Sequence, residues 1–199
     1  MLIRTMLLAC FVITVAGTAF GQRPGPEFRR IQDCEYLEPR TKLEALETAY
    51  EKVLVKGFTQ IANFSVRGAD IRVDAVEFKE NRPAGERALG LVIVLREQSE
   101  TPRENRTFVD YDEIDRLLRA LDAVTRVNET VTKLAGFEAL YRTASDLEVR
   151  VFRQTRNSGT AASITNGVCN RIVALLTLDE LERLKAHIVE AKTRLDEIK

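Results

Sequence analysis

The sequence predicts an α+β fold: two tandem antiparallel units, each of three or four strands followed by a helix, with a further helix in front and the helices packed on the sheet faces. Three observations predict it. Hydrophobic spacing alternates between strand-like and helix-like periods along the chain. Two blocks of one chemistry mark the switches into helix. They are Val109-Asp110-Tyr111-Asp112-Glu113-Ile114-Asp115-Arg116-Leu117 and Leu176-Thr177-Leu178-Asp179-Glu180-Leu181-Glu182-Arg183-Leu184, so apolar, cap, apolar, Asp, Glu, aliphatic, acid, Arg and Leu recur in order from residue 109 to residue 176, an offset of 67. Recurrence of a whole element order at one offset is the mark of an internal repeat.

Each element follows from its residues. Thr41 and Glu44 have capping-box spacing, so Thr41 opens a helix whose face Leu43, Leu46, Tyr50 and Val53 would carry it to about Val53. From Gly57 the period changes. Ile71, Val73 and Ala75 alternate with Arg72 and Asp74, as in a strand with one wet face, and the phase change at Val76 and Phe78 predicts a bulge near Ala75. Residues 81–86 read as a turn, Leu89 to Leu95 as a central strand apolar on both faces, and 99–105 as a polar loop. Asp110 and Glu113 then cap a second helix with the stripe Ile114, Leu117, Leu118, Leu121 and Val124. Strands are expected at 137–144 and 147–155 around a Ser145-Asp146 turn. Asn166-Gly167 is a strong hairpin signal separating 160–165 from 168–176. Thr177 and Glu180 form the third capping box, before a helix bearing Leu181, Leu184, Ile188, Ala191, Leu195 and Ile198. No Gly or Pro occurs from Arg171 to Lys199 to interrupt it.

The first residues read as an address. Arg4 precedes an apolar stretch from Met6 to Ala16, and Ala19-Phe20-Gly21 places small side chains at the positions a signal peptidase inspects. Residues 1–21 are therefore expected to be a signal peptide cleaved near Gly21-Gln22, and the protein to be exported, periplasmic or extracellular. Leu7-Leu8-Ala9-Cys10 resembles a lipobox, but the apolar run continues past Cys10. The apolar core is also shorter than the roughly 20 residues of a membrane span, and no transmembrane segment is expected in the mature chain. Residues 22–40, with Pro24 and Pro26, read as a flexible leader. Residues 41–199 read as one domain of two pseudo-repeats, about 41–130 and 131–199. Cys34 and Cys169 remain after cleavage and are expected to form a disulfide, which for so long a loop stabilises by about 4 kcal/mol in the chain-entropy model.

Composition limits the chemistry. Thirty Lys and Arg balance thirty Asp and Glu, so no overall positive field draws nucleic acid. The single histidine, His187, precludes a multi-histidine metal site from one chain, and it lies at the edge of an apolar helical stripe with no Gly-x-Ser-x-Gly motif elsewhere to give it a nucleophile. The acids Asp110, Asp112, Glu113 and Asp115 lack the loop glycine of a calcium-binding hand and run straight into a helix, where they complement its positive end. Neither a catalytic group, a metal nor a cofactor is expected. Arg72, Arg150 and Arg153 are expected to face outward and to pair across strands with Asp74 and Glu148. Trp is absent, and no aromatic platform is evident.

Two units of strands plus helix resemble, in order of elements, the doubled fold of the PUR and Whirly single-strand DNA binders. The resemblance covers element order and no motif; the Whirly-type Lys-Gly-Lys-Ala-Ala-Leu stretch is absent. What it implies, single-strand nucleic-acid binding, is opposed by the neutral charge and the export signal, so nucleic acid is not an expected partner. The reading that fits best is an exported, non-enzymatic binding or protein-interaction module for a protein or small ligand. A carboxylate-dependent hydrolase, with two acids about 5–10 Å apart in a concave pocket, is the alternative.

Overall fold

The computed structural model describes residues 38–128, 130–155, 159–167 and 170–199. The expected signal peptide, most of the leader, and both Cys34 and Cys169 lie outside the described residues. The chain has mixed α and β structure in the order α1 (Lys42–Glu47), β1 (Leu54–Val66), β2 (Ala69–Glu80), β3 (Arg87–Glu97), β4 (Glu104–Asp110), α2 (Tyr111–Thr125), β5 (Phe137–Arg142), β6 (Glu148–Arg153), β7 (Ala161–Asn166), β8 (Ile172–Leu176) and α3 (Leu178–Asp196). Strands β1 to β4 form one antiparallel sheet in chain order, and β5 to β8 form another. No helix among the described residues is long and apolar enough to cross a membrane.

One core unites the sheets. Ile71, Val73, Leu91, Ile93 and Leu95 of the first sheet pack in a single buried cluster with Val149, Val151, Ile164 and Ala174 of the second. Ile114, Leu117 and Leu121 of α2 and Leu181, Leu184 and Ile188 of α3 complete it. The sheets are also stitched through backbone: Leu175 donates to the Arg67 carbonyl at 2.9 Å. The Asn166 side-chain amide donates to the Asn105 carbonyl at 2.8 Å, and Asn105 donates to the Asn170 carbonyl at 2.7 Å.

Three elements differ from their sequence expectation. The first helix stops at Glu47 rather than near Val53, because Leu43 and Leu46 already reach a surface to cover; Tyr50 and Val53 lie 90% and 66% exposed, and Glu51 turns the chain with φ at +58°. The bulge expected near Ala75 is absent from β2, which pairs without interruption with β3 from Ala69 to Lys79; the irregularity sits in β1 between Gln60 and Ala62. Val76 and Phe78 are apolar because they face the other side of the sheet, where α1 buries them. The Asn166-Gly167 signal marks the end of β7, with Gly167 at φ +85°, but Asn166 pairs with Ile172, so the connection is longer than a two-residue turn.

Candidate binding face

The first sheet has two apolar faces. Ile71, Val73 and Ala75 point into the shared core, while Val76 and Phe78 of β2, Ala88, Val92 and Val94 of β3, and Phe108 of β4 form a second cluster with Leu43 and Leu46. Helix α1 rests on that outer face. Gly90 permits the approach: a Cβ there would stand 2.2 Å from the Val109 carbonyl oxygen and 2.7 Å from the Leu43 side chain.

Helix α1 is held from three directions. Thr41 Oγ1 accepts from the Glu44 amide at 3.1 Å, and Glu44 accepts from the amides of Thr41 at 3.2 Å and Arg40 at 2.7 Å. Ser145, in the β5–β6 turn, donates to the same Glu44 carboxylate, and Arg40 pairs with Asp146 beside it. Asp110 supplies the third hold. It stands at the N-cap position of α2, yet its carboxylate makes no cap bond there; it accepts from the amides of Lys42 at 2.7 Å and Leu43 at 3.1 Å. The cap expected on its own helix is thus given to α1, whose free N–H groups lie across the sheet edge. Glu113, the other half of that expected pair, is half-buried; partial burial and the neighbouring Asp110 charge push its carboxyl above the usual range. The third pair forms a complete box: Thr177 Oγ1 accepts from Glu180 at 3.2 Å, and Glu180 accepts from Thr177 at 2.7 Å.

Because α1 is short, part of the outer face stays open. A hollow of about 200 Å³ lies beyond its last residue, Glu47, with Phe78 and Phe108 among the side chains lining it. These rings meet edge to face, 6.2 Å apart. Lys56 Nζ stands 5.0 Å from the centre of Phe78, and the Arg106 guanidinium 6.0 Å from Phe108. Both cations are steered there by Glu47, which accepts from Lys56 at 2.5 Å and Arg106 at 2.9 Å. Arg72 Nε donates to Asp74 Oδ2 at 3.0 Å, whereas Asp74 Oδ1 is buried with no hydrogen-bond partner. At the rim Phe58 is 74% exposed. Three cations and two carboxylates thus surround an aromatic floor, an arrangement suited to holding a partner by stacking and charge.

A second hollow, of about 420 Å³, lies on the opposite side of β1, between Gly57, Thr59 and Glu77 and the end of α3 at Arg194, Glu197 and Ile198. Its charges pair locally: Arg87 with Glu77 at 2.5 Å, and Arg194 with Glu197 at 2.5 Å.

On the second sheet Glu148 is buried and meets three guanidinium groups, those of Arg142, Arg150 and Arg171. Burial alone would raise its pKa, but the hydrogen bonds from Arg142 and Arg150 and the charges of Arg150 and Arg171 outweigh it and bring the carboxyl down to about 2. Arg142 is the cross-strand partner of Glu148, whereas Arg72 pairs with Asp74 two residues along its own strand. Arg150 pairs both with Glu148 on its own strand and across to Glu138 of β5 at 2.9 Å. His187 stacks near Phe64 at 5.7 Å and faces Glu190 at 3.5 Å. Among the described residues no group of three His, Cys, Asp or Glu is placed to hold a metal ion.

The sequence did not single out Lys56, Phe58, Arg106 or Phe108 as one group. They lie on β1 and β4, the two edges of the sheet, and only the pairing of both strands through β2 and β3 brings them to one surface. Comparison with models of protein families, with curated proteins and with solved structures finds no match to this chain.

Proposed function

We propose that the chain is an exported, non-enzymatic binding module, built as two tandem units of four strands and a helix, which takes a protein or small ligand on the open part of the outer face of its first sheet. Phe58 carries this reading. It is a large apolar side chain left 74% exposed beside a hollow whose cations, Lys56 and Arg106, are already held over aromatic rings. Such a surface gains by covering Phe58 and needs little rearrangement to do so. The tandem reading is supported by the order of elements, in which each four-stranded sheet is followed by a helix whose first turn lies within the repeated acidic block. Export is supported by the composition of residues 1–21 and is tested by sequencing the N-terminus of protein recovered outside the cytoplasm, which is expected to begin at Gln22.

The binding reading is tested by NMR of the isotope-labelled protein against a mixed set of small acids, sugars and short peptides. Ligand shifts are expected at Lys56, Phe58 and Arg106 and are expected to vanish in Phe58→Ser. A turnover activity lost in Glu113→Gln or Asp74→Asn with the fold intact would replace this reading by that of a hydrolase.

Single-strand nucleic-acid binding is the second reading, favoured by the same order of four strands and a helix taken twice. Against it, Lys56, Arg72 and Arg106 each already face a carboxylate, which a phosphate would have to displace. Titration with a homopolymeric oligonucleotide over a range of salt separates the readings, because phosphate binding weakens steeply as salt rises.

A further inference from the structure

The first half of β1 is an open edge. Among the described residues β1 pairs with β2 alone, and 55–60 are exposed. The opposite edge, β4, is closed against the second sheet, where Asn105 bonds Asn166 and Asn170 and the Phe108 amide donates to Ser145 Oγ at 3.4 Å. Protein sheets normally blunt a free edge with proline, charge or a bulge. Residues Leu54 to Gln60 contain no proline, the β1 irregularity comes only after Gln60, and the one charge, Lys56, is drawn over the outer face by Glu47. Exposed apolar side chains crowd this stretch, Val55 and Phe58, and the residues just before it, Tyr50 and Val53.

From this we infer that β1 pairs antiparallel with β1 of a second copy of the chain, about a two-fold axis at Gly57, joining two four-stranded sheets into one of eight strands. The strand is self-complementary in that register. With Gly57 facing its twin, Lys56 of each copy lies opposite Phe58 of the other, and Val55 opposite Thr59. Directly opposed side chains in an antiparallel pair are about 5 Å apart, close enough for two cation–aromatic contacts and two contacts between β-branched residues. All four residues of the first set lie on the outer face, because Lys56 and Phe58 face Phe78 and Val76 of β2 in register. Gly57 leaves room at the axis: a Cβ there would meet nothing nearer than 3.9 Å. A two-fold axis makes every contact twice, and a chain that stays close to neutral once residues 1–21, with Arg4, are removed opposes the approach with little overall repulsion.

The inference rests on the binding reading and names the occupant of that surface as a second copy, whose strand covers Phe58; the two fail separately, because this one is judged by mass and that one by ligand contact at Lys56, Phe58 and Arg106. The experiment is sedimentation equilibrium of the purified protein and two variants, each checked for folding by circular dichroism. The wild type is expected to be a dimer. Phe58→Lys, which sets a second ammonium group against Lys56 of the other copy, is expected to be a folded monomer. Phe58→Glu, which converts both contacts to ion pairs, is expected to remain a dimer. A synthetic peptide of residues 53–61 is expected to dissociate the wild-type dimer. A monomeric wild type, a dimeric Phe58→Lys, or a monomeric and folded Phe58→Glu would each overturn the inference. So would a monomer that binds unrelated extended peptides along β1, which assigns the edge to a foreign strand.

Discussion

Asp110 and Leu43 lie 67 positions apart in the chain, yet the Asp110 carboxylate caps the helix that carries Leu43, accepting its amide at 3.1 Å and that of Lys42 at 2.7 Å. The residue that ends the first sheet therefore fixes the helix that covers it. Losing an N-cap carboxylate costs about 1–2 kcal/mol. Asp110→Ala is expected to lower the unfolding free energy by that amount in urea titration. Asp110→Asn, which keeps one acceptor, is expected to lose less. Thr177→Ala, which opens the cap of α3, is expected to cost about 1 kcal/mol, and the double variant to be additive because the two caps share no partner.

Gly90 and Gly57 are opposite cases of one residue type. Gly90→Ala forces a Cβ against the Val109 carbonyl and Leu43, so it is expected to destabilise by about 2 kcal/mol and to loosen α1, read by faster amide exchange at Leu43 and Leu46. Gly57→Ala meets no such obstacle, and its backbone entropy effect is expected to stabilise the folded monomer by about 0.5 kcal/mol.

Two of the perturbed carboxylates, Glu148 and Glu113, act in opposite senses with pH. Glu148 is held at about 2, below its unfolded value, so its contribution is complete above the ordinary carboxylate range and is lost as pH falls toward 2. Glu148→Gln is expected to destabilise at neutral pH and to flatten the acid limb of the stability curve, measured by thermal melting across pH.

Glu113 has the opposite sign. Its pKa is raised in the folded state by burial and by Asp110, so the folded protein favours the protonated form, and that contribution disappears as pH rises through the folded value. Glu113→Gln supplies a permanently neutral group of the same shape. It is expected to raise the melting temperature at neutral pH and to leave it unchanged in acid, where the native glutamate is already protonated.

The alternation in β2 and β6 and the stripes of α2 and α3 were legible because each reports one element packing against one surface, whereas β1 and β4, the edge strands, were not legible as strands at all. Leu89 to Leu95 showed itself as a strand covered on both sides for the same reason. What local pattern could not show was a side chain working for a distant element. Asp110 has the right type and position to cap α2, and only the approach of α1 diverts it. Val76 and Phe78 resembled a phase error because the helix covering them is six residues long and lies well upstream. Lys56 and Arg106 occupy separate edge strands, and their joint hold by Glu47 depends on the sheet, not on any spacing in the chain.

The shared core makes the connection between α2 and β5 mechanically dispensable. Side chains from both sheets and both long helices interlock in it, and the Arg67–Leu175 bridge adds a backbone tie, so a protease nick in the exposed stretch 133–135 should yield two fragments that still travel, and melt, as one particle.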